Sequence, residues 1–221
     1  MPGGDRSKGI REMVMKRSLI AAIAAAIVAA LALPAQANNI VDEWTTTKPP
    51  APPTLKEVKV DPKTTALLML DFMNQNCGKR PRCLATIPAM KKLLGEARAA
   101  KATVVYSIIA NSTTADVIKD VAPQADEPQV QSGPNKFRNT DLEKILKDKG
   151  ITTVIVTGTA ANGAVLQTAL DAAARGLNVI VPVDGLSSVE AYADLSTVYT
   201  FTSAPSLAPK STLTKTDMIK F

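Results

Sequence analysis

The stretch ITTVIVTGTAANGAVLQTALDAAARGLNVIVPVD, residues 151–184, decides the fold of this chain. Its first residues are apolar and β-branched and end at Gly158, a pattern typical of a strand buried on both faces. Apolar residues then recur at helical spacing over residues 161–175, and Gly176 is a C-terminal stop signal. A second apolar run, residues 177–183, predicts another strand.

This strand–helix–strand unit predicts a larger sheet, because a parallel pair of strands needs helices on both faces. Further strands are predicted at residues 65–70, 103–109 and 211–221, and further helices at residues 88–100, 141–149 and 187–202. We therefore expect an α/β protein with a single doubly wound, mostly parallel sheet of five or six strands and helices on both faces. Its site is expected at the carboxyl ends of the strands.

The N-terminal region has the pattern of an export signal. Met15-Lys16-Arg17 is followed by an apolar run over residues 19–33 and by Ala35-Gln36-Ala37. This pattern predicts a signal peptide over residues 1–37, a misassigned start before Met15, and a periplasmic or secreted protein. The apolar run is short for a membrane span, so we expect none after cleavage. An uncleaved anchor is the alternative.

The length and charge of the processed chain limit the number of domains and the kinds of partner. Without residues 1–37, 184 residues remain with 21 basic and 18 acidic side chains, a net charge of +3. They divide into a Pro-rich arm, residues 38–62, and one domain, residues 63–221. Because Lys and Arg are not clustered with aromatic residues, we expect no nucleic-acid partner.

Two cysteines and the absence of histidine limit the chemistry. In an oxidising compartment Cys77 and Cys83, which flank a short loop, are expected to form a disulfide. Two thiols without histidine are a poor zinc site, so we expect no metal. Glycine-rich nucleotide motifs are missing from the sequence, and no cofactor is expected.

Asp71 is the first candidate for a site residue. It follows the apolar run of residues 65–70 directly, so its carboxylate is expected at the carboxyl end of a central strand. Capping of the following turn is the alternative function of this side chain.

Three motifs carry a resemblance to a known family. LLMLDFMN (residues 67–74), KFRNTDL (136–142) and GTAANGAV (158–165) resemble the isochorismatase-like (cysteine hydrolase) family in order and spacing, over about residues 64–183. The resemblance implies a doubly wound sheet, a homo-oligomer and a small-molecule substrate. Family members include amidases, nicotinamidases and isochorismate vinyl-ether hydrolases.

The resemblance also implies how this chain departs from the amidases. Asp71 falls on the catalytic aspartate of the family, whereas Ala164 occupies the position of the nucleophilic cysteine. A methyl group cannot attack a carbonyl, so covalent catalysis is not available there. Isochorismatases proper also have a small residue at this position and protonate their substrate by an aspartic acid before water adds. The metal-binding histidines of the family are missing as well.

The position of the family's lysine leaves two interpretations of Lys136 open. Gln131 occupies the place where the lysine usually stands, and Lys136 lies directly before Phe137. The Ser132-Gly133-Pro134 segment can bend the chain so that Lys136 reaches the site. A solvated lysine at a helix entrance is the alternative.

The turn at Asn162, Gly163 and Ala164 is expected to bind substrate. Free N–H groups at a helix N-terminus facing Asp71 can bind an anion or a developing oxyanion, and simple capping by Asn162 is the alternative. The sequence thus predicts an exported hydrolase that uses Asp71 and Lys136 for noncovalent acid/base chemistry. A catalytically silent periplasmic binding or assembly module is the second hypothesis.

Overall fold

The computed structural model describes residues 39–221 of the chain. The predicted signal peptide and the misassigned start lie outside these residues. None of the helices within the described range is long and apolar enough to cross a membrane. The chain divides after Lys48 into two units. The described part of the first unit contains one short helix, α1 (Ile40–Glu43), which the Asn39 side chain caps.

The second unit, Pro49–Phe221, is built on a parallel sheet. Its strands are β1 (Val58–Lys59), β2 (Thr65–Leu70), β3 (Thr103–Ile108), β4 (Gln129–Gln131), β5 (Thr153–Thr159), β6 (Asn178–Pro182), β7 (Leu186–Ser187), β8 (Ser211–Thr214) and β9 (Ile219–Lys220). Seven of them form one sheet in the order β4-β3-β2-β5-β6-β8, with β7 paired to β5, and all pairings are parallel. The order reverses between β2 and β5, the point where folds of this kind bind ligands.

The predicted doubly wound sheet is confirmed, with seven strands where the sequence predicts five or six. β4 has three residues and β7 has two, too few to produce a recognisable period. The segment of residues 211–221 is not one edge strand. A turn at Thr216–Met218 separates β8 at the sheet edge from β9, which pairs with β1 in a separate two-stranded sheet.

The strands at the centre of the sheet are the most apolar. All six residues of β2 are buried, and β2 pairs with β3 on one side and β5 on the other. The continuous apolar run at this place is therefore a central strand, as predicted. In register, Leu70 lies beside both Ser107 of β3 and Gly158 of β5, so the three carboxyl ends meet at one edge.

Helices cover both faces of the sheet. They are α2 (Pro81–Leu84), α3 (Ile87–Ala99), α4 (Leu142–Asp148), α5 (Leu166–Ala174) and α6 (Ala191–Ser203). One cluster of buried side chains joins Leu93 of α3 to Leu67 of β2. A second cluster joins residues of α4, α5 and α6 to Leu68 on the opposite face. Helix α6 begins at Ala191 rather than near residue 187, because Leu186 and Ser187 are in β7.

Gly158 permits the close approach of β5 to the end of β2. Its φ is +133°, and a Cβ at this position would lie 2.1 Å from the carbonyl oxygen of Leu70. No L side chain fits there without moving the backbone. The glycine that marks the end of the strand in the sequence therefore also sets how closely β5 lies to Asp71.

Replacing Gly95 by Ala is expected to raise the free energy of unfolding by about 0.5–1 kcal/mol. Gly95 lies inside α3, and a Cβ there would meet nothing within 4 Å. Gly150→Ala is the matched control, because Gly150 also has open space but a φ of +66°, which disfavours alanine. Urea denaturation of both variants measures the effect. Equal destabilisation by the two substitutions would contradict this account.

Candidate active site

Asp71 lies directly after β2, at the point where the strand order reverses. Its φ is +57°, a conformation that aspartate adopts more readily than most residues. The backbone N–H of Asp71 donates to the Ser107 hydroxyl oxygen at 3.1 Å, and this hydroxyl donates to Asp71 Oδ1 at 2.6 Å. Ser107 thus fixes both the backbone and the carboxylate of Asp71.

Lys136 forms a buried ion pair with Asp71. The lysine Nζ lies 2.8 Å from Asp71 Oδ2 and also donates to the carbonyl oxygen of Gly133 at 2.9 Å. The side chain of Lys136 is 1% exposed, so it is not the solvated lysine of the alternative interpretation. The backbone N–H of Lys136 donates to Thr168 of α5, which fixes the segment before Phe137 against the helix.

Gln131 does not take the place of the lysine. Its side-chain amide donates to the carbonyl oxygens of Ile109 and Ser112, in the loop after β3. The residues between Gln131 and Lys136 instead bend so that Lys136 reaches the end of β2. The structure therefore brings the two predicted catalytic side chains, Asp71 and Lys136, together.

Both charges of the buried Asp71–Lys136 pair are compensated by hydrogen-bonded partners. Two opposite charges taken out of water are stable only when both are paired and hydrogen-bonded, and here each has two partners. The carboxylate is an acceptor on both oxygens, and the ammonium lies at the end of the central strands. A substrate carbonyl placed beside this pair would meet both a proton acceptor and a positive charge.

The turn after β5 is only partly arranged as expected. The chain leaves β5 through a cis peptide bond between Thr159 and Ala160 and forms a π-helical turn, Ala161–Val165, that leads into α5. The N–H of Gly163 donates to the Ala160 carbonyl oxygen at 3.0 Å, so this expected donor is already engaged. Asn162 does not cap the helix. Its Oδ1 accepts from the Ser188 hydroxyl at 3.3 Å.

The segment between the two cysteines lies against the end of β5. Cys77 and Cys83 form the predicted disulfide, and both are fully buried. Between them, Arg80 donates from Nη1 to the Thr159 hydroxyl at 3.1 Å. Within residues 39–221, no group of three or more Cys, Asp or Glu side chains is arranged to hold a metal ion.

Sequence reasoning missed two polar residues at this edge, Ser107 and Arg80. Ser107 lies inside a predicted strand, where a single serine among apolar residues carries no functional signal. Arg80 is one of several basic residues in a short loop. The strand register places Ser107 beside Leu70, and Thr159, the partner of Arg80, beside Ser187. Only these contacts show that Ser107 and Arg80 lie at the same edge of the sheet.

Removing the Ser107 hydroxyl is expected to destabilise the protein and disturb Asp71. Ser107→Ala leaves the Asp71 N–H without this acceptor and Oδ1 without this donor, at a cost of about 2 kcal/mol of unfolding free energy. As a positioning residue, Ser107 is expected to affect kcat more than KM, with kcat about 10-fold lower. Ser203→Ala, which removes a hydroxyl bonded to a helix carbonyl, is the control. A change in KM alone would contradict positioning of Asp71.

The fold and the site define a class of protein. It is a doubly wound α/β protein with a buried carboxylate–ammonium pair at the edge where such sheets bind small molecules. Comparison with known proteins adds the family. The model of the isochorismatase domain matches residues 65–200, more than half of the chain. The chain therefore belongs to the isochorismatase family, whose general function is hydrolysis.

Solved structures support this assignment. An isochorismatase-like hydrolase from Alkaliphilus metalliredigens is 26% identical with a TM-score of 0.63, over 70% of this chain and 95% of that one. A cysteine hydrolase from Pseudomonas syringae pv. phaseolicola 1448A is 22% identical with a TM-score of 0.64, over 75% and 94% of the two chains. N-carbamoylsarcosine amidase from Thermoplasma acidophilum is 23% identical with a TM-score of 0.60, over 70% and 97%. The last two show the fold alone. No curated protein matches the chain.

Proposed function

We propose that this protein is an exported hydrolase that acts on a small metabolite by noncovalent acid/base chemistry through Asp71. The observation that carries the proposal is the buried 2.8 Å contact between Asp71 Oδ2 and Lys136 Nζ at the end of the central strands. Family membership supports hydrolysis as the reaction class.

The ion pair supports a reaction with water as the nucleophile. Asp71 accepts a proton from water as the new carbon–oxygen bond forms, and Lys136 stabilises the negative charge on the substrate oxygen. The proton then passes from Asp71 to the leaving group as its bond to carbon breaks, which restores the carboxylate. For a vinyl ether, Asp71 first gives a proton to the vinyl carbon, and its carboxylate takes a proton from the water that adds to the resulting cation, which regenerates the acid.

The side chains near Asp71 support a noncovalent path. Ala164, where the resemblance places a nucleophilic cysteine, has no reactive group and is 3% exposed. The Ser107 hydroxyl is engaged by Asp71 and is 1% exposed. The polar end of the substrate would be bound by the turn at Asn162, Gly163 and Ala164. Because the Gly163 N–H is already bonded to the Ala160 carbonyl oxygen, the proposal assigns most of this role to Asn162 and Ala164.

Hydrolysis across amides, esters and vinyl ethers tests the proposal, with Asp71→Asn as the comparison. Turnover that depends on Asp71, with no acyl-enzyme detected by mass spectrometry, is the expected result. An acyl-enzyme intermediate would contradict the noncovalent mechanism. Absence of turnover on every class of substrate, with the protein folded, would contradict hydrolysis.

One observation favours the second hypothesis, a silent binding or assembly module. Both oxygens of the Asp71 carboxylate already have partners, and the residue is 6% exposed. A silent module would keep this pair for stability alone. The same assay separates the two hypotheses, because a silent module shows no turnover that Asp71→Asn could remove.

Export is supported by two features of the chain. The signal pattern of residues 15–37 precedes a domain that contains a disulfide, which persists in oxidising compartments. We expect the exported protein to begin at Asn38, and N-terminal sequencing tests this. A start at residue 1 or 15 would contradict cleavage.

A homo-oligomer is supported by the exposed apolar side chains of the second unit. They are Leu84, Val189, Tyr192, Leu195 and Tyr199, of which three lie on α6. The charged residue of α6, Asp194, is paired with Arg82, so a second copy would meet no unpaired charge on this helix. Equilibrium sedimentation tests the proposal, and a monomer at all concentrations would contradict it.

A further inference from the structure

Arg80 places a positive charge at the carboxyl end of β5. Its guanidinium donates to the neutral hydroxyl of Thr159 at 3.1 Å and is only partly exposed. No aspartate or glutamate within residues 39–221 forms an ion pair with it. An arginine in this position has donors to spare, since its planar fork carries five N–H groups.

The backbone around Arg80 is held on both sides. The disulfide joins Cys77 and Cys83, and the N–H of Arg80 donates to the Cys77 carbonyl oxygen at 2.9 Å. The Arg80 carbonyl oxygen accepts from Cys83 and Leu84 at 3.0 Å, at the start of α2. This short closed loop therefore fixes the base of the arginine side chain, which lowers the entropy cost of binding with it.

Ser187 supplies an independent observation at the same strand ends. It lies beside Thr159 in register and is 2% exposed, yet its hydroxyl has no hydrogen-bond partner among the described residues. Residues paired in register on neighbouring parallel strands point to the same face of the sheet, so Ser187 and Thr159 share the face where Arg80 lies. A buried hydroxyl without a partner among these residues can donate to an acceptor of a ligand.

Two acidic side chains of neighbouring elements are already engaged. Asp71 is bound by Lys136 and Ser107, and Asp194 of α6 accepts from Arg82. Neither of these two carboxylates pairs with Arg80. A carboxylate suits these donors best, because it accepts two hydrogen bonds from a guanidinium fork and a further one from a hydroxyl.

We propose that Arg80, Thr159 and Ser187 form a binding site for a carboxylate group of the substrate. The inference rests on the proposed function, since it names the chemical class of the molecule that is hydrolysed. Gly158, directly before Thr159, pairs in register with Leu70, directly before Asp71, and neighbouring strands lie about 4.8 Å apart. A small substrate can therefore bind with its carboxylate at Arg80 and its reacting bond near Asp71.

Binding of simple probes tests this site without any need for turnover. Benzoate and succinate are titrated into the oxidised protein beside the neutral amides benzamide and succinamide, with calorimetry and the backbone amide signals of Thr159 and Ser187 as readouts. The carboxylates are expected to bind about 10-fold more tightly than the amides. Equal binding of acids and amides would overturn the proposal.

Two neighbouring arginines provide a matched pair of variants. Arg80→Gln is expected to weaken benzoate binding about 10-fold or more, because it removes the charged donor. Arg82→Gln removes one positive charge from the same loop, but this arginine is paired with Asp194, so binding is expected to change less than about 2-fold. Ser187→Ala is expected to weaken binding about 3-fold. Equal effects of the two arginine variants would overturn the site, since they would show that only overall charge matters.

The results separate this site from the proposed function. Carboxylate binding that depends on Arg80, with no substrate hydrolysed, would support the site and contradict the hydrolase. Hydrolysis that depends on Asp71 but is unchanged by Arg80→Gln for acidic substrates would contradict the site and support the hydrolase. Thermal denaturation with the disulfide intact checks that each variant is folded.

Discussion

Asp71→Asn is expected to lower the rate of hydrolysis by at least about 100-fold, the usual contribution of a general acid/base group. The amide cannot accept a proton from water or return one to the leaving group. The backbone tolerates the change, because asparagine also adopts the positive φ that Asp71 has. Because Lys136 loses its charged partner in this variant, urea denaturation first establishes that the protein is folded, and a loss of activity then reports on the proton transfer.

The matched control for this variant is Asp148→Asn. Asp148 lies at the surface and pairs with Lys144 one turn earlier in α4. Unlike Asp71, it is solvent-exposed and has no proposed role in the reaction. Its replacement is expected to leave kcat/KM unchanged. Initial rates with both variants, at several pH values, provide the measurement. Residual activity above about one tenth in Asp71→Asn would contradict a general acid/base role for Asp71.

Lys136→Met is expected to lower the free energy of unfolding by about 3–5 kcal/mol, because it leaves a buried carboxylate without its charged partner. Methionine preserves most of the length of the side chain, so the cavity left behind is small. Urea denaturation of the variant measures the loss. Lys144→Met, which breaks an exposed pair, is the control and is expected to have little effect.

The double variant Asp71→Asn/Lys136→Met separates charge from packing. Removing both charges is expected to recover much of the stability that Lys136→Met loses, because no unpaired charge remains. A double variant that is as unstable as the sum of the two single changes would show that the two side chains act independently, and would contradict the ion pair as the cause.

The central strands of the sheet could be predicted from the sequence, and the reason is physical. Thr65–Leu70 and Thr153–Thr159 are buried on both faces, and such strands need continuous apolar residues that are visible in one dimension. The short strands β4 and β7 were not predictable, because two or three residues are ordered by their neighbours in the sheet and not by their own pattern.

The site was predictable in part. Asp71 was predictable as a site residue, because its position directly after a buried strand is visible in the sequence. Lys136 could not be chosen over Gln131 from spacing alone, because the path of the bent segment around Gly133 decides which side chain reaches the carboxylate. The roles of Ser107 and Arg80 depend on contacts with residues that are distant in the chain. Such contacts cannot be predicted from the local sequence.

The pairing of β1 with β9 has a consequence for the order in which the domain is assembled. Val58 lies beside Ile219, so a strand near the start of the domain has its partner almost at the last residue of the chain. During synthesis β1 emerges long before β9 exists, and this small sheet can form only after residues 219 and 220 have been made. Pairing of β1 with β9 is therefore a late event in the assembly of the domain, because it joins residues of high sequence separation.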